Sequence, residues 1–172
     1  SMEEAAAVSS IGTVFTENRR IRNLHVLTFT SIKRIGYENL MGCESLESIT
    51  IPKSVDVIGW YTFGGWSYNP LKSLKTVFVE EGTLSYIPEG FDKYIKDVVD
   101  YPSTISSFGH SQPSLLAKIT ILRSKTPPTI NASSLKGNGV IYVPDDVIET
   151  YRHSDNWARV ADRIYPLSEY HP

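Results

Sequence analysis

The stretch Cys43–Phe63, CESLESITIPKSVDVIGWYTF, decides the fold, through Cys43, Leu46, Ile49, Ile51, Pro52, Val55, Ile58, Gly59 and Phe63. Written as a pattern it is C-x2-L-x2-I-x-I-P-x2-V-x2-I-G-x3-F, and weaker copies recur in order along the chain. Upstream, Leu27, Phe29, Ile32, Ile35, Gly36 and Leu40 match it, with Leu27 to Ile49 a step of 22. Downstream, Leu74, Val77, Val79, Leu84, Ile87 and Phe91 follow after a step of 28, and Val99, Tyr101, Pro102, Ile105, Phe108 and Gly109 after a further 22. Ile119 and Ile121 open the next copy, and Ile141, Val143, Pro144 and Val147 close the series. A fixed period of roughly 20 to 30 residues is the mark of a repeat architecture.

Each part of the unit has a physical reading. The I-x-I pair is a short strand with two inward side chains, and the proline after it ends the hydrogen-bonded ladder because it has no N–H. V-x2-I-G supplies apolar residues on a returning limb, and the glycine is expected to serve a tight corner by its freedom of backbone angle. One coil cannot bury its own apolar row. Stacked coils merge these rows into a continuous core and pair their strands in a single direction. The expectation is a parallel sheet of about six short strands (Leu27–Phe29, Ile49–Ile51, Val77–Val79, Val99–Tyr101, Ile119–Ile121, Ile141–Val143) with irregular return limbs. The competing reading is an antiparallel β domain whose strands happen to be evenly spaced.

Three segments follow from the pattern. Residues 1–23 form an N-terminal segment or degenerate first coil, echoed only by Ile11, Gly12 and Phe15, with Ser1-Met2 reading as the remnant of a cleaved tag. Residues 24–144 are the repeats, and residues 145–172 a helical C-terminal cap. In the cap, Asp146 and Glu149 have capping-box spacing, and Val147, Ile148 and Tyr151 make the apolar stripe of a short helix. A second helix is expected after Ser154 or Asp155, with Trp157, Val160, Ala161 and Ile164 on one face and Arg159, Asp162 and Arg163 left to water.

Composition narrows the function classes. The 172 residues carry 17 Lys plus Arg against 19 Asp plus Glu, with no long run of either sign, which argues against a nucleic-acid partner. No apolar stretch approaches the roughly 20 residues that a membrane helix needs. The single cysteine, Cys43, excludes an intrachain disulfide.

The repeats resemble those of the BspA-like, or Treponema pallidum type, leucine-rich repeat surface proteins. Ile35-Gly36, Leu40-Met41-Gly42-Cys43, Leu46, Ile49, Ile51-Pro52, Val55, Ile58-Gly59 and Phe63 carry the resemblance. The tail is similar too, through Thr126-Pro127-Pro128, Ile141-Tyr142-Val143-Pro144, Tyr151, Trp157 and Ala161-Asp162-Arg163-Ile164. Departures fall in the middle, where Trp66 follows Gly64-Gly65, Glu80 replaces the proline and Pro88 replaces the glycine. The resemblance implies a leucine-rich repeat solenoid and a non-enzymatic binding module, secreted or at the bacterial cell surface. It further implies adhesion to a host or microbial protein or glycan. A structural spacer within a larger surface protein is the alternative.

No catalytic constellation, metal site or cofactor motif is assembled. His25, His110, His153 and His171 lack metal-ligand spacing, and no nucleophile elbow, Walker loop or dinucleotide fingerprint occurs. Cys43 falls at a core-facing repeat position. Glu80-Glu81 and Asp145-Asp146 read as solvated or capping carboxylates rather than acid–base pairs. Binding candidates come from strand alternation, which turns Thr28, Thr50, Phe78, Asp100, Thr120 and Tyr142 outward. Among them Phe78 and Tyr142 are informative, because a plain solvated sheet has no use for exposed aromatics. Packing on neighbours is the other reading of both. Trp66 and Tyr68, in the six-residue excess of the long step, are either an extension of that surface or a plug over the core.

Overall fold

In chain order the strands are β1 (Ala5–Val8), β2 (Val26–Phe29), β3 (Arg34–Ile35), β4 (Ser48–Ile51), β5 (Val57–Ile58) and β6 (Thr76–Val79), then β7 (Tyr86–Ile87), β8 (Val98–Tyr101), β9 (Ser107–Phe108), β10 (Ile119–Leu122), β11 (Val140–Val143) and β12 (Ile164–Pro166). They belong to a computed structural model that describes residues 5–8, 26–29, 32–36, 44–63, 71–110 and 115–172. The main sheet has the order β1-β2-β4-β6-β8-β10-β11-β12. All its pairings are parallel, so the antiparallel reading fails. Each of the six expected segments is a strand in it, and β1 and β12 add one at either end. The return limbs pair as well, β3 with β5 and β7 with β9.

The proline after a strand does more than end the ladder. Its carbonyl accepts from the N–H three residues on, Val55 to Pro52 at 3.0 Å, Ile105 to Pro102 at 3.4 Å and Val147 to Pro144 at 3.1 Å, so it also opens the turn. The return limb then bonds to the coil before it, with Asp56 N–H to Lys33 C=O at 2.9 Å and Gly59 N–H to Ile35 C=O at 2.7 Å. The expected reason for the corner glycines needs correction. Gly36, Gly59 and Gly109 do not have positive φ, and among the described glycines only Gly90 does, at 72°. At Gly109 the constraint is space, since a Cβ there would lie 2.5 Å from Glu89 Cγ and 2.7 Å from its backbone nitrogen.

Inward side chains form continuous rows. Ile49, Val77, Val99 and Ile141 make one, Ile51, Val79, Tyr101 and Val143 the other, all buried. Tyr101 also belongs to an aromatic file, Phe63–Phe91–Tyr101–Phe108, with ring centroids 4.9, 5.9 and 5.3 Å apart. Burying each such aliphatic side chain contributes about 1.5–3 kcal/mol before the entropy of ordering is counted. One carboxylate lies within this core. Asp92 accepts from the backbone N–H of Leu115, one coil further on, and the Tyr101 hydroxyl lies beside it without reaching hydrogen-bond geometry. Burial is the main reason its carboxyl is pushed up to about 6.

The phase of one strand differs from expectation. β10 pairs Thr120 with Val99 and Ile141, and Ile121 with Asp100 and Tyr142. The inward pair is therefore Thr120 and Leu122, and the steps on either side of Thr120 are 21 residues, not 22. Ile119, Ile121 and Leu122 offer an apolar residue at either parity. The neighbouring strands choose the one that carries Leu122 into the core beside Tyr101.

The cap is only partly helical. Asp145–Val147 is a turn of 3-10 helix, α1 spans Ile148–His153, and Asp155–Arg163 is 3-10 helix broken at Val160. No side chain caps α1, so the capping box does not form; Asp146 instead pairs with Lys125 at 2.6 Å. Trp157 and Val160 face the core as expected, but Ile164 does so from strand β12. Arg163 is not left to water and donates to the Gly137 and Gly139 carbonyls. Polar handles lock the cap down: Tyr151 Oη to Ser124 C=O at 2.8 Å, Trp157 Nε1 to Pro128 C=O at 2.7 Å and Asn156 Nδ2 to Ile130 C=O at 2.7 Å.

Candidate functional site

Parallel register sets outward side chains in a straight file across the sheet. That file reads Thr50, Phe78, Asp100, Ile121, Tyr142, Tyr165, each opposite the next on the adjacent strand. Phe78 is 43% exposed, so it is a true surface aromatic. Tyr142 is half-buried because it packs with Tyr165 and Tyr170, at centroid distances of 6.3 and 5.3 Å. Tyr165 remains 39% exposed at the end of the file. Asp145 steadies the segment carrying Tyr170 by accepting from Ser168 N–H at 3.1 Å, and that bonding holds its own carboxyl below the usual range.

Two expected members of the file are corrected. Thr120 is 1% exposed and points inward, its place being taken by Ile121 for the register reason given above. Ile121 is itself nearly inaccessible, yet it lies outside the contiguous core cluster, held on the outer face between Asp100 and Tyr142. Asp100 does point outward but is only 8% exposed. The guanidinium of Arg123, from the next coil, covers it with two bonds, Nε to Oδ1 at 2.8 Å and Nη2 to Oδ2 at 2.7 Å. Donating these bonds to Asp100 raises the Arg123 guanidinium above its ordinary value. Of the remaining candidates, Trp66, Tyr68 and Cys43 lie outside the described residues, and Thr28 is described only as backbone in register with Thr50.

Arg123 also lines an open cleft beside the sheet, together with Ser103, Ser106, Ser124, Lys125 and Thr129. The hydroxyls of this cleft bond to neighbouring coils: Ser103 to the exposed Glu81 carboxylate at 2.7 Å, Ser106 to Ser85 C=O at 3.1 Å, the buried Ser124 to Ile105 C=O at 2.7 Å and Thr129 to Ser106 C=O at 3.4 Å. Glu81 also takes the Ser103 N–H, and Glu80 takes the Lys53 N–H at 3.0 Å, so both carboxylates staple neighbouring coils. Comparison with family models, curated proteins and solved structures gives no match.

Sequence reasoning missed Tyr165, Tyr170 and Arg123. Tyr165 had a visible signal, because Ile164-Tyr165-Pro166 repeats most of Ile141-Tyr142-Val143-Pro144 after 23 residues. Arg123 had none until the phase of β10 was known. Exposed Trp60, Val57 and Tyr86 lie on or beside the return limbs, away from this file. Among the described residues no group of His, Cys, Asp and Glu could hold a metal ion, and no helix is long and apolar enough to cross a membrane.

Proposed function

We propose that the chain is a leucine-rich repeat solenoid of the BspA-like type, acting as a non-enzymatic binding module of a bacterial surface or secreted protein. Its ligand is a host or microbial protein or glycan, and the outer face of the main sheet is the recognition surface. The observation that carries this reading is the file of outward aromatics, Phe78 at one side and Tyr142 and Tyr165 at the other, with Tyr170 packed on Tyr142. A spacer has no need of aromatic rings in water, whereas ring surfaces of this kind are enriched where proteins are bound. The parallel stack supports the repeat reading, since its period and proline turns recur from coil to coil.

The test is titration of the folded chain against arrayed surface proteins and glycans, followed by Phe78→Ala and Tyr142→Ala as single and double variants. Each is expected to weaken binding about tenfold with the thermal midpoint nearly unchanged at Phe78. Full-strength binding by a well-folded double variant would show that recognition lies elsewhere.

A further inference from the structure

We propose that the outer face between Phe78 and Tyr142 seats one amphipathic helix of a protein partner. This ligand class presupposes that the chain is a binding module.

The outward file that contains Phe78 and Tyr142 has a second outward row beside it. Two residues earlier on each strand stand Thr76, Val98, Ile119 and Val140, in register from β6 to β11 and all partly exposed. Val98, Ile119 and Val140 neither belong to the core cluster nor pack against it. Rings stand at both ends, Phe78 on β6 and, on β11, Tyr142 backed by Tyr165 and Tyr170. Between these walls the floor is aliphatic on one row, with Ile121 beside the Asp100–Arg123 pair on the other. Phe78 stands three strand steps from Tyr142, or about 14 Å, and a helix with its side chains is about 10–12 Å across.

The face also selects against other occupants. The cations that flank it, Lys75, Lys118, Arg123 and Lys125, are each paired with a carboxylate, so a polyanion meets no unmatched cation among them. The floor of Val98, Ile119 and Val140 offers a sugar hydroxyl no hydrogen bond. An extended peptide docks by lengthening a sheet, but β6, β8, β10 and β11 are paired on both sides, so only side chains are on offer. A second copy is limited by area. Four residues of strand across four strand steps make a face on the order of 250 Å², far below the about 800 Å² per partner of a standard interface. A single helix matches what is left, because its backbone bonds are internal and its apolar stripe can meet the floor. Lying along the strands between the walls, it makes about 13 Å of contact, or two to three turns, which apolar side chains at i, i+4 and i+7 span.

The experiment selects binders of the full chain from two phage-displayed libraries of equal size. One randomises the exposed face of a stable helical scaffold, the other an unstructured peptide. Binders, and a soluble β-glucan, are then titrated into the methyl-labelled chain and followed by NMR. Binders from the helical library with apolar residues at i, i+4 and i+7 are expected, and they should shift the methyls of Val98, Ile119 and Val140. Their dissociation constants should rise about tenfold in Phe78→Ala and in Ile119→Ser, with Phe78→Ala keeping the parent's thermal midpoint. Trp60→Ala, an exposed ring elsewhere on the molecule, should bind as the parent does. If those methyls answer only to unstructured peptides or to the glucan, the helix inference is overturned and the binding-module reading stands. If no probe moves them, both fall. Concentration-dependent dimers that Phe78→Ala dissolves would assign the face to a second copy and also overturn the inference.

Discussion

Thr120 and Asp92 show how much a single residue's meaning depends on its neighbours. Thr120 and Thr50 are the same amino acid in the same kind of strand, yet Thr120 is buried in the inward row and Thr50 stays half-exposed in the outward one. Thr120→Asp should destabilise the chain by about 3 kcal/mol or more, while Thr50→Asp should cost less than about 1 kcal/mol. Urea melts of the two variants decide it, and equal losses would mean the register of β10 is wrong. At Asp92 the folded carboxyl near 6 lies above its unperturbed 3.8, so the folded chain holds the proton more tightly than the unfolded chain. Its contribution to stability is thus complete below about pH 4 and fades as pH rises through about 6. Asp92→Asn should abolish that trend. Between pH 7.5 and 4.5 the parent should gain on the order of 1–2 kcal/mol relative to the variant, and a pH-independent difference would rule out titration of Asp92.

At the scale of elements, the repeating piece is a strand, a proline turn and a returning limb, and the cap is a different object. Its short helices have little intrinsic stability, and its hold on the stack comes from Tyr151 and Trp157, in edge-to-face contact at 5.4 Å with both polar handles satisfied. Tyr151→Phe should cost about 1 kcal/mol, the usual worth of one buried hydrogen bond, whereas Trp157→Ala should cost about 3–5 kcal/mol. Hydrogen exchange checks where the loss falls. Amides of β11 and β12 should exchange faster in Trp157→Ala while those of β4 and β6 change least, because in a stacked fold each coil touches mainly its neighbours. Uniform acceleration across the sheet would indicate a single cooperative unit instead.

Over the whole molecule, coupling between coils is what turns a row of weak strands into a surface. The Asp100–Arg123 pair couples two coils on the outer face, and Arg123→Ala would leave a nearly buried carboxylate without its partner. A loss of about 2 kcal/mol is expected, allowing for the partial exposure of the guanidinium, with most of it recovered when Asp100→Asn is combined with Arg123→Ala. Thermal melts across the four proteins of this cycle test it. A double variant as unstable as Arg123→Ala would mean that the arginine matters for packing rather than for the carboxylate.

What was legible in the sequence was everything that repetition states locally. The I-x-I pairs named the strands, the prolines named the turns, and the recurring period pointed to parallel stacking, because stacked coils can merge apolar rows that one short coil cannot bury. Phe78 and Tyr142 were legible as outward aromatics by the same alternation. Local pattern could not settle phase wherever it was degenerate: Ile119, Ile121 and Leu122 satisfy two registers equally, and only hydrogen bonding to the flanking strands selects one. Nor could it show which distant residues meet. Arg123 reaches Asp100 across 23 positions, Tyr170 closes on Tyr142 across 28, and β12 emerges from a helical pattern because the edge of the sheet offers Ile164 and Tyr165 partners that helix geometry would have denied them. These contacts depend on the stack already being in place, so tertiary structure alone decides them.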